Sequence, residues 1–189
     1  MARKLQIGVM GSTSDLNYTD EVAKAAEELG RNIAKKGGIL FFGAEKDFDS
    51  LSTAACRGAK SAGGTTVGVT YGKSKDIWQK KDVDIIIPCG LERGGGRELV
   101  LVLACDAIIS ISGGSGTLTE LAIAYQADIP MIALNGFGGW SDELAGKYFD
   151  NRKRRMVLRA NTPKEAVEMA FSEAEQYRKK YEEAKSNKK

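Results

Sequence analysis

Histidine is absent from this chain of 189 residues, and the absence removes a broad range of chemistry. Ser-His and Cys-His nucleophilic catalysis, imidazole acid–base work and histidine metal ligation are all excluded. Any reaction must rest on carboxylates, arginine, lysine, tyrosine, hydroxyls and backbone dipoles. Cysteine is scarce. Cys56, Cys89 and Cys105 are odd in number and widely spaced, which argues against a disulfide framework or a CxxC metal site. Each reads as a small buried hydrophobe, and no metal is expected. No apolar run approaches the roughly 20 residues needed to span a bilayer. The opening "MARKLQIGVMGS" passes straight into a strand-like run without the apolar region of a signal peptide. A cytoplasmic protein with no membrane partner is therefore expected. Charge of one sign is also lacking, since the net charge is only +3 and much of the excess sits near the C-terminus. A nucleic-acid binder would show a concentrated basic face; this balance suits a small anionic ligand better.

What is present is the composition of a globular protein, 42% hydrophobic and 28% charged. The length fits one domain, 1–189, able to bury a core. Short apolar runs alternate with helical patterns from end to end. Strands are expected at 5–10, 39–43, 65–70, 83–90, 106–112 and 129–135, with an edge strand within 154–161. Helices are expected at 20–37, 51–64, 96–105, 116–128 and 140–149, and a last one starts near Thr162-Pro163. The charge-rich end, about 180–189, is expected to fray. This alternation predicts an α/β fold: a single Rossmann-like domain with a doubly wound, mainly parallel sheet flanked by helices. Right-handed crossovers then bring the loops beginning at Gly11, Cys89 and Gly113 to one rim, where ligands bind in such sheets.

The stretch "ISGGSGTLTE" (111–120) lies between a strand and a helix. Gly113, Gly114 and Gly116 allow close backbone approach, Ser115 and Thr117 add hydroxyls, and a helix start favours an anion. It is neither GxGxxG nor the lysine-bearing P-loop, and a plain capped turn fits the same residues. Glu120 reads equally as a helix-start carboxylate, favourable through the dipole. The first loop, "MGSTSD", repeats the pattern with Gly11, Ser12, Thr13 and Ser14. The third, "CGLERGGGRE", adds Arg93, Gly94 to Gly96 and Arg97. Arginine forks onto phosphate or carboxylate and keeps its charge.

The run "GRELVLVLACDAIISISGGSGTLTELAIAYQADIPMIAL" resembles the core of the LOG-like family, long labelled as lysine decarboxylases and including cytokinin-activating phosphoribohydrolases. Its signature is an Arg, a helix, then a strand ending in PGGxGTxxE. "IGVMGS" and "PCGLERGGGRE" are most similar to the branch with molybdenum-cofactor carrier proteins and uncharacterised bacterial and archaeal relatives. The resemblance spans roughly 5–170, with 97–120 its specific part. It implies a Rossmann-like fold and a homodimer or larger oligomer. It does not imply lysine decarboxylation, and nothing resembles a pyridoxal-phosphate site.

Carried over by residue, the resemblance places Arg97 and Glu120 on the catalytic arginine and glutamate. It places Gly113, Gly114, Gly116 and Thr117 on the phosphate loop, and Gly11 and Ser12 on the nucleotide-contacting first turn. Two departures stand out. Ser112 replaces the signature proline, which reads as a mild change. "FGAEKDFDSLST" replaces a GGGxxGxM stretch, so Glu45, Asp47 and Asp49 stand where a second phosphate-facing loop would be. Acidic side chains repel phosphate.

Two functions fit. One is hydrolysis of the N-glycosidic bond of a nucleoside 5′-monophosphate, with Glu120 orienting water and Arg97 pairing with it. No clear acid for the leaving base is visible, Asp142 and Glu92 being the only candidates. The other is carriage or sensing of a nucleotide or pterin without turnover. Neither needs a cofactor beyond the ligand. The apolar "LVLVLA" (99–104) reads as a core helix or as a dimer face, and "NRKRRM" (151–156) as a solvated turn.

Overall fold

A computed structural model describes residues 3–92 and 96–186, with side chains as far as residue 180. Arg93, Gly94 and Gly95 of the third loop lie outside the described residues. Seven strands are present: β1 Gln6–Gly11, β2 Ile39–Gly43, β3 Thr65–Thr70, β4 Ile85–Pro88, β5 Ala107–Ile111, β6 Met131–Leu134 and β7 Val157–Ala160. The α-helices are α1 Asp20–Lys35, α2 Leu51–Ser61, α3 Arg97–Leu103, α4 Ser115–Gln126, α5 Gly139–Leu144 and α6 Pro163–Ser186. The strands form one sheet in the order β4-β3-β2-β1-β5-β6-β7, and every neighbouring pair is parallel. This is the α/β, doubly wound Rossmann-like architecture that the alternation of elements predicts.

Local chemistry sets the helix starts. Thr19 caps α1, with acidic Asp20 and Glu21 in its first turn and Lys35 in its last. The Ser50 hydroxyl accepts from the Thr53 amide at 3.0 Å to open α2. At α6, Thr162 Oγ1 accepts from the Glu165 amide and the Glu165 carboxylate accepts from the Asn161 amide, a reciprocal arrangement of the capping-box kind. One apolar layer joins β1 and β2 to α1, α2 and α6; the other joins β3 and β5 to α3 and α4. The small-residue composition of α2 has a packing cause. A Cβ on Gly58 would lie 1.8 Å from the Glu27 carbonyl oxygen, and one on Gly30 the same distance from that of Ala55. Helices α1 and α2 therefore meet backbone to backbone.

Some boundaries differ from expectation. Helix α5 ends at Leu144 because the chain turns out of helix at Ala145. The charged C-terminal stretch expected to fray is helical as far as Ser186, since its alternating Lys, Arg and Glu are good helix formers. The buried thiols fit their reading as hydrophobes. Burial pushes Cys56 up to about 12 and raises Cys105 as well, so neither is a thiolate at neutral pH. Among the described residues, no helix is long and apolar enough to cross a membrane.

Strand order turns around between β1 and β5, and the register pairs Gly11 with Ile111. The loops leaving these two strands therefore emerge side by side. That crevice is where ligands bind in open parallel sheets.

Candidate functional site

Three segments meet at that crevice: the turn after β1, the segment after β2, and the glycine loop into α4. They enclose a cavity of about 380 Å³, lined in part by Gly11, Ser12, Gly43, Glu45, Arg97, Glu98, Gly114, Ser115, Gly116, Thr117 and Glu120. Eight of the nine residues expected at the site line it. The exception, Gly113, lies buried behind the loop. Its amide donates to Ser12 Oγ at 2.9 Å, and Ser12 Oγ donates to Ser112 Oγ at 3.2 Å. Ser12 thus ties the first loop to the glycine loop.

The glycine loop is held from behind by the start of α5. The Trp140 and Ser141 amides donate to the Gly113 and Ser112 carbonyls, both at 3.0 Å. Asp142 accepts from the Gly136 and Gly138 amides at 2.9 Å each. This carboxylate, considered above as an acid for a leaving base, is instead the anchor of the turn that supports the loop. Ser112 has φ 53°, a left-handed conformation closed to proline, whose ring fixes φ near −65°. The replacement of the signature proline is therefore a change of backbone rather than a mild one.

Helix α4 begins at Ser115 behind Gly114, and no side chain caps it. The amides of its first turn have no intrahelical acceptor, and they face the cavity together with Ser115 and Thr117. A Cβ on Gly116 would meet nothing within 4 Å, so glycine here keeps space open above those amides. An uncapped helix start with free N–H groups favours an anion.

The same cavity is lined by a group of buried charges. Arg97 opens α3, and it, Glu45, Glu98 and Glu120 are each only 6% exposed. Arg97 Nη2 donates to Glu45 Oε1 at 3.0 Å and to Glu98 Oε1 at 3.2 Å, and its Nε donates to Glu98 Oε1 at 3.3 Å. Arg97 Nη1 is buried without a partner among the described residues. A Cβ on Gly43 would lie 2.1 Å from that nitrogen, so glycine at the end of β2 makes room for the guanidinium. Burial opposes the Arg97 charge, and the fields of Glu120, Glu45 and Glu98 more than restore it.

Glu120 stands sixth in α4, whose first turn carries no acid. That corrects its reading as a helix-start carboxylate. Among the described residues no hydrogen bond joins it to Arg97, so the pairing expected between them is an electrostatic one across the cavity. Burial is the chief cause that pushes the Glu120 carboxyl up to about 8; Arg97 pulls it down, while Glu98 and Glu45 push it further up.

The acidic segment divides its roles. Glu45 enters the cavity and pairs with Arg97. Asp49 binds Arg57 at 2.9 and 3.0 Å and accepts from the Ser50 amide, while Asp47 accepts from the Tyr71 hydroxyl at 3.3 Å. Only one of the three therefore lines the cavity. Glu98 and Gly43 were missed from sequence. Glu98 sits beside Arg97 in an ordinary "RE" pair, and nothing local marks it as buried.

The family model matching residues 4–167 is that of the SLOG cluster4 family (LDcluster4). An uncharacterised protein of Archaeoglobus fulgidus is 33% identical over 122 residues, 65% of this chain and 74% of that one. The X-ray structure of TM1055 is similar with a TM-score of 0.79 and 31% identity, over 89% of this chain and 99% of that one. The molybdenum cofactor binding protein from the phototrophic bacterium Rippkaea orientalis has a TM-score of 0.75 and 33% identity, over 91% and 98%. The molybdenum cofactor carrier protein from Chlamydomonas reinhardtii has a TM-score of 0.76 and 31% identity, over 90% and 98%. These likenesses bear out the branch to which the motifs pointed. The chain belongs to the SLOG cluster4 family.

Proposed function

We propose that this protein binds a small phosphorylated ligand of nucleotide or pterin type, without needing to turn it over. The phosphate lies on the amides of the first turn of α4 and on the Ser115 and Thr117 hydroxyls. The carboxylates around Arg97 accept from hydroxyl or N–H groups of the rest of the ligand. One observation carries this reading: an uncapped helix start opens onto a cavity of about 380 Å³ that buried carboxylates also line. The structural likeness to molybdenum cofactor carrier and binding proteins supports the same ligand class. Calorimetric titration of the protein with inorganic phosphate, AMP and GMP tests it. Binding of a nucleotide, competed by phosphate and weakened by Gly116→Asp, is the expected result. No binding by any of the three overturns it.

A second reading, N-glycosidic hydrolysis of a nucleoside 5′-monophosphate, has one observation in its favour. Glu120, whose burial raises its carboxyl to about 8, is a candidate acid inside the cavity, the role for which the sequence offered no clear candidate. It would donate its proton to the leaving base as the C–N bond breaks and water adds at the sugar carbon, while Arg97 steadies the carboxylate left on Glu120. Base release from AMP, GMP or CMP that Glu120→Gln abolishes is expected if the protein is a hydrolase. Binding without base release leaves carriage.

The same reading includes self-association. Helix α3 turns Leu99, Val100 and Leu103 outward, and Ile85 and Ile87 of β4 are exposed. Exposed apolar residues of this kind suit a homo-oligomer contact, which light scattering on the purified protein checks.

A further inference from the structure

The lip of the cavity has a chemistry that phosphate binding leaves unused. Between β1 and α1 the chain makes a 3-10 turn, Ser14–Leu16, whose Asp15 and Leu16 both line the cavity. The turn is firmly placed. The Ser14 amide donates to the Asp49 carbonyl at 2.9 Å, the Leu51 amide to the Ser12 carbonyl at 2.9 Å, and the Leu16 amide to the Thr13 carbonyl at 3.0 Å. Leu16 lies over the cap of α4: a Cβ on Gly114 would come 2.8 Å from its Cδ1. It is nonetheless 54% exposed, an apolar face held open directly beside the anion-favouring amides. Beside it, Thr13 Oγ1 donates to Asp15 Oδ1, which steadies the carboxylate and leaves both lone pairs of Oδ2 to accept.

An exposed leucine with an oriented carboxylate next to it, both lining the cavity beside the start of α4, is a place for a heterocycle. An ionised carboxylate is an acceptor only. It matches a ring edge carrying two adjacent N–H donors and is mismatched with an edge that offers a lone pair. We infer that Asp15 selects rings bearing the 2-amino-4-oxo edge shared by guanine and pterins over adenine. Guanine presents N1–H and the 2-amino group side by side, and a pterin presents N3–H and its 2-amino group in the same geometry. Adenine turns the N1 lone pair toward the same place. The inference rests on the proposed binding of a phosphorylated ligand and adds its ring class.

Calorimetric titration of the full chain with GMP, IMP, AMP and 6-hydroxymethylpterin phosphate tests it. GMP is expected to bind about tenfold or more tightly than AMP, the discrimination a bidentate pair supplies, with IMP, which keeps only one of the two donors, between them. The pterin phosphate arm identifies which source of the shared edge is preferred. Asp15→Asn should remove the preference for GMP over AMP; Asp15 is exposed, so the variant keeps the fold. Equal affinity for GMP, AMP and the pterin, or a preference that survives Asp15→Asn, overturns the inference while phosphate binding stands. Failure of all four ligands and of inorganic phosphate removes the underlying reading and this one with it.

Discussion

At the entry to β5, Asp106 is buried and both its oxygens are filled. It accepts from Arg3 at 2.7 and 3.1 Å, from Arg178 at 3.2 Å and from the Gln6 amide at 2.8 Å. At the exit of the same strand, the charges around Arg97 are arranged differently. Arg97 Nη1 has no partner among the described residues, burial pushes the Glu120 carboxyl up to about 8, and the first turn of α4 has no capping side chain. Buried polar groups cost free energy unless their hydrogen bonds are made. The first cluster meets that requirement internally and ties the N-terminal segment to α6. The second leaves it partly unmet beside a cavity, which is how a fold keeps a place for a ligand.

Removing each centre separates the two roles most strongly. Arg97→Ala leaves Glu45 and Glu98 buried without their shared cation, so unfolding free energy should drop by about 3–5 kcal/mol, and nucleotide affinity should fall. Asp106→Ala frees Arg178 and the half-exposed Arg3 to return to water, so the drop should be smaller, about 1–3 kcal/mol. Ligand affinity should be unchanged. Urea denaturation with parallel calorimetry checks both; a binding defect in Asp106→Ala would erase the distinction.

Gly43→Ala is a subtler way to disturb only the exit. Its methyl group would overlap Arg97 Nη1, so the guanidinium must shift, at about 1–3 kcal/mol of stability. A larger share of the effect should appear in binding, and Gly43→Ser should behave alike. Retained affinity would show that the position of Arg97 is unimportant to the ligand.

A dependence on pH probes the exit cluster without removing its cation. Glu120 is raised from 4.5 to about 8, so the native state holds this proton more tightly than the unfolded chain. The stability it contributes is complete below the ordinary carboxylate range and is lost as pH rises toward about 8. Compared with Glu120→Gln, the wild-type protein should lose stability progressively over that interval, and the two should run parallel below it. Parallel curves throughout would mean that Glu120 is ionised or solvated in the native state.

Much of this molecule was legible in order along the chain. The period of apolar residues placed all seven strands, and the glycines at 113, 114 and 116 marked the loop that faces the cavity. Arg97 and Glu120 were legible through their spacing in a motif. Their partners were not. Glu45 lies 52 positions from Arg97, and in sequence it looked like an obstacle to phosphate. Asp142 looked available for acid chemistry until its carboxylate proved to hold three successive turn residues, 136–138, through their amides. Serine 112 seemed interchangeable with proline because sequence carries no φ.

The sequence by itself determined the parallel α/β layering, the excluded chemistries and the glycine-rich crossing from β5 to α4. Each follows from local periodicity, from composition or from the steric freedom of single residues. Tertiary structure alone decided which carboxylates neutralise Arg97, which one burial raises, and which loop supports the cradle from behind. Those outcomes depend on burial and on distances between segments far apart in the chain, and neither quantity exists until the sheet has closed around them.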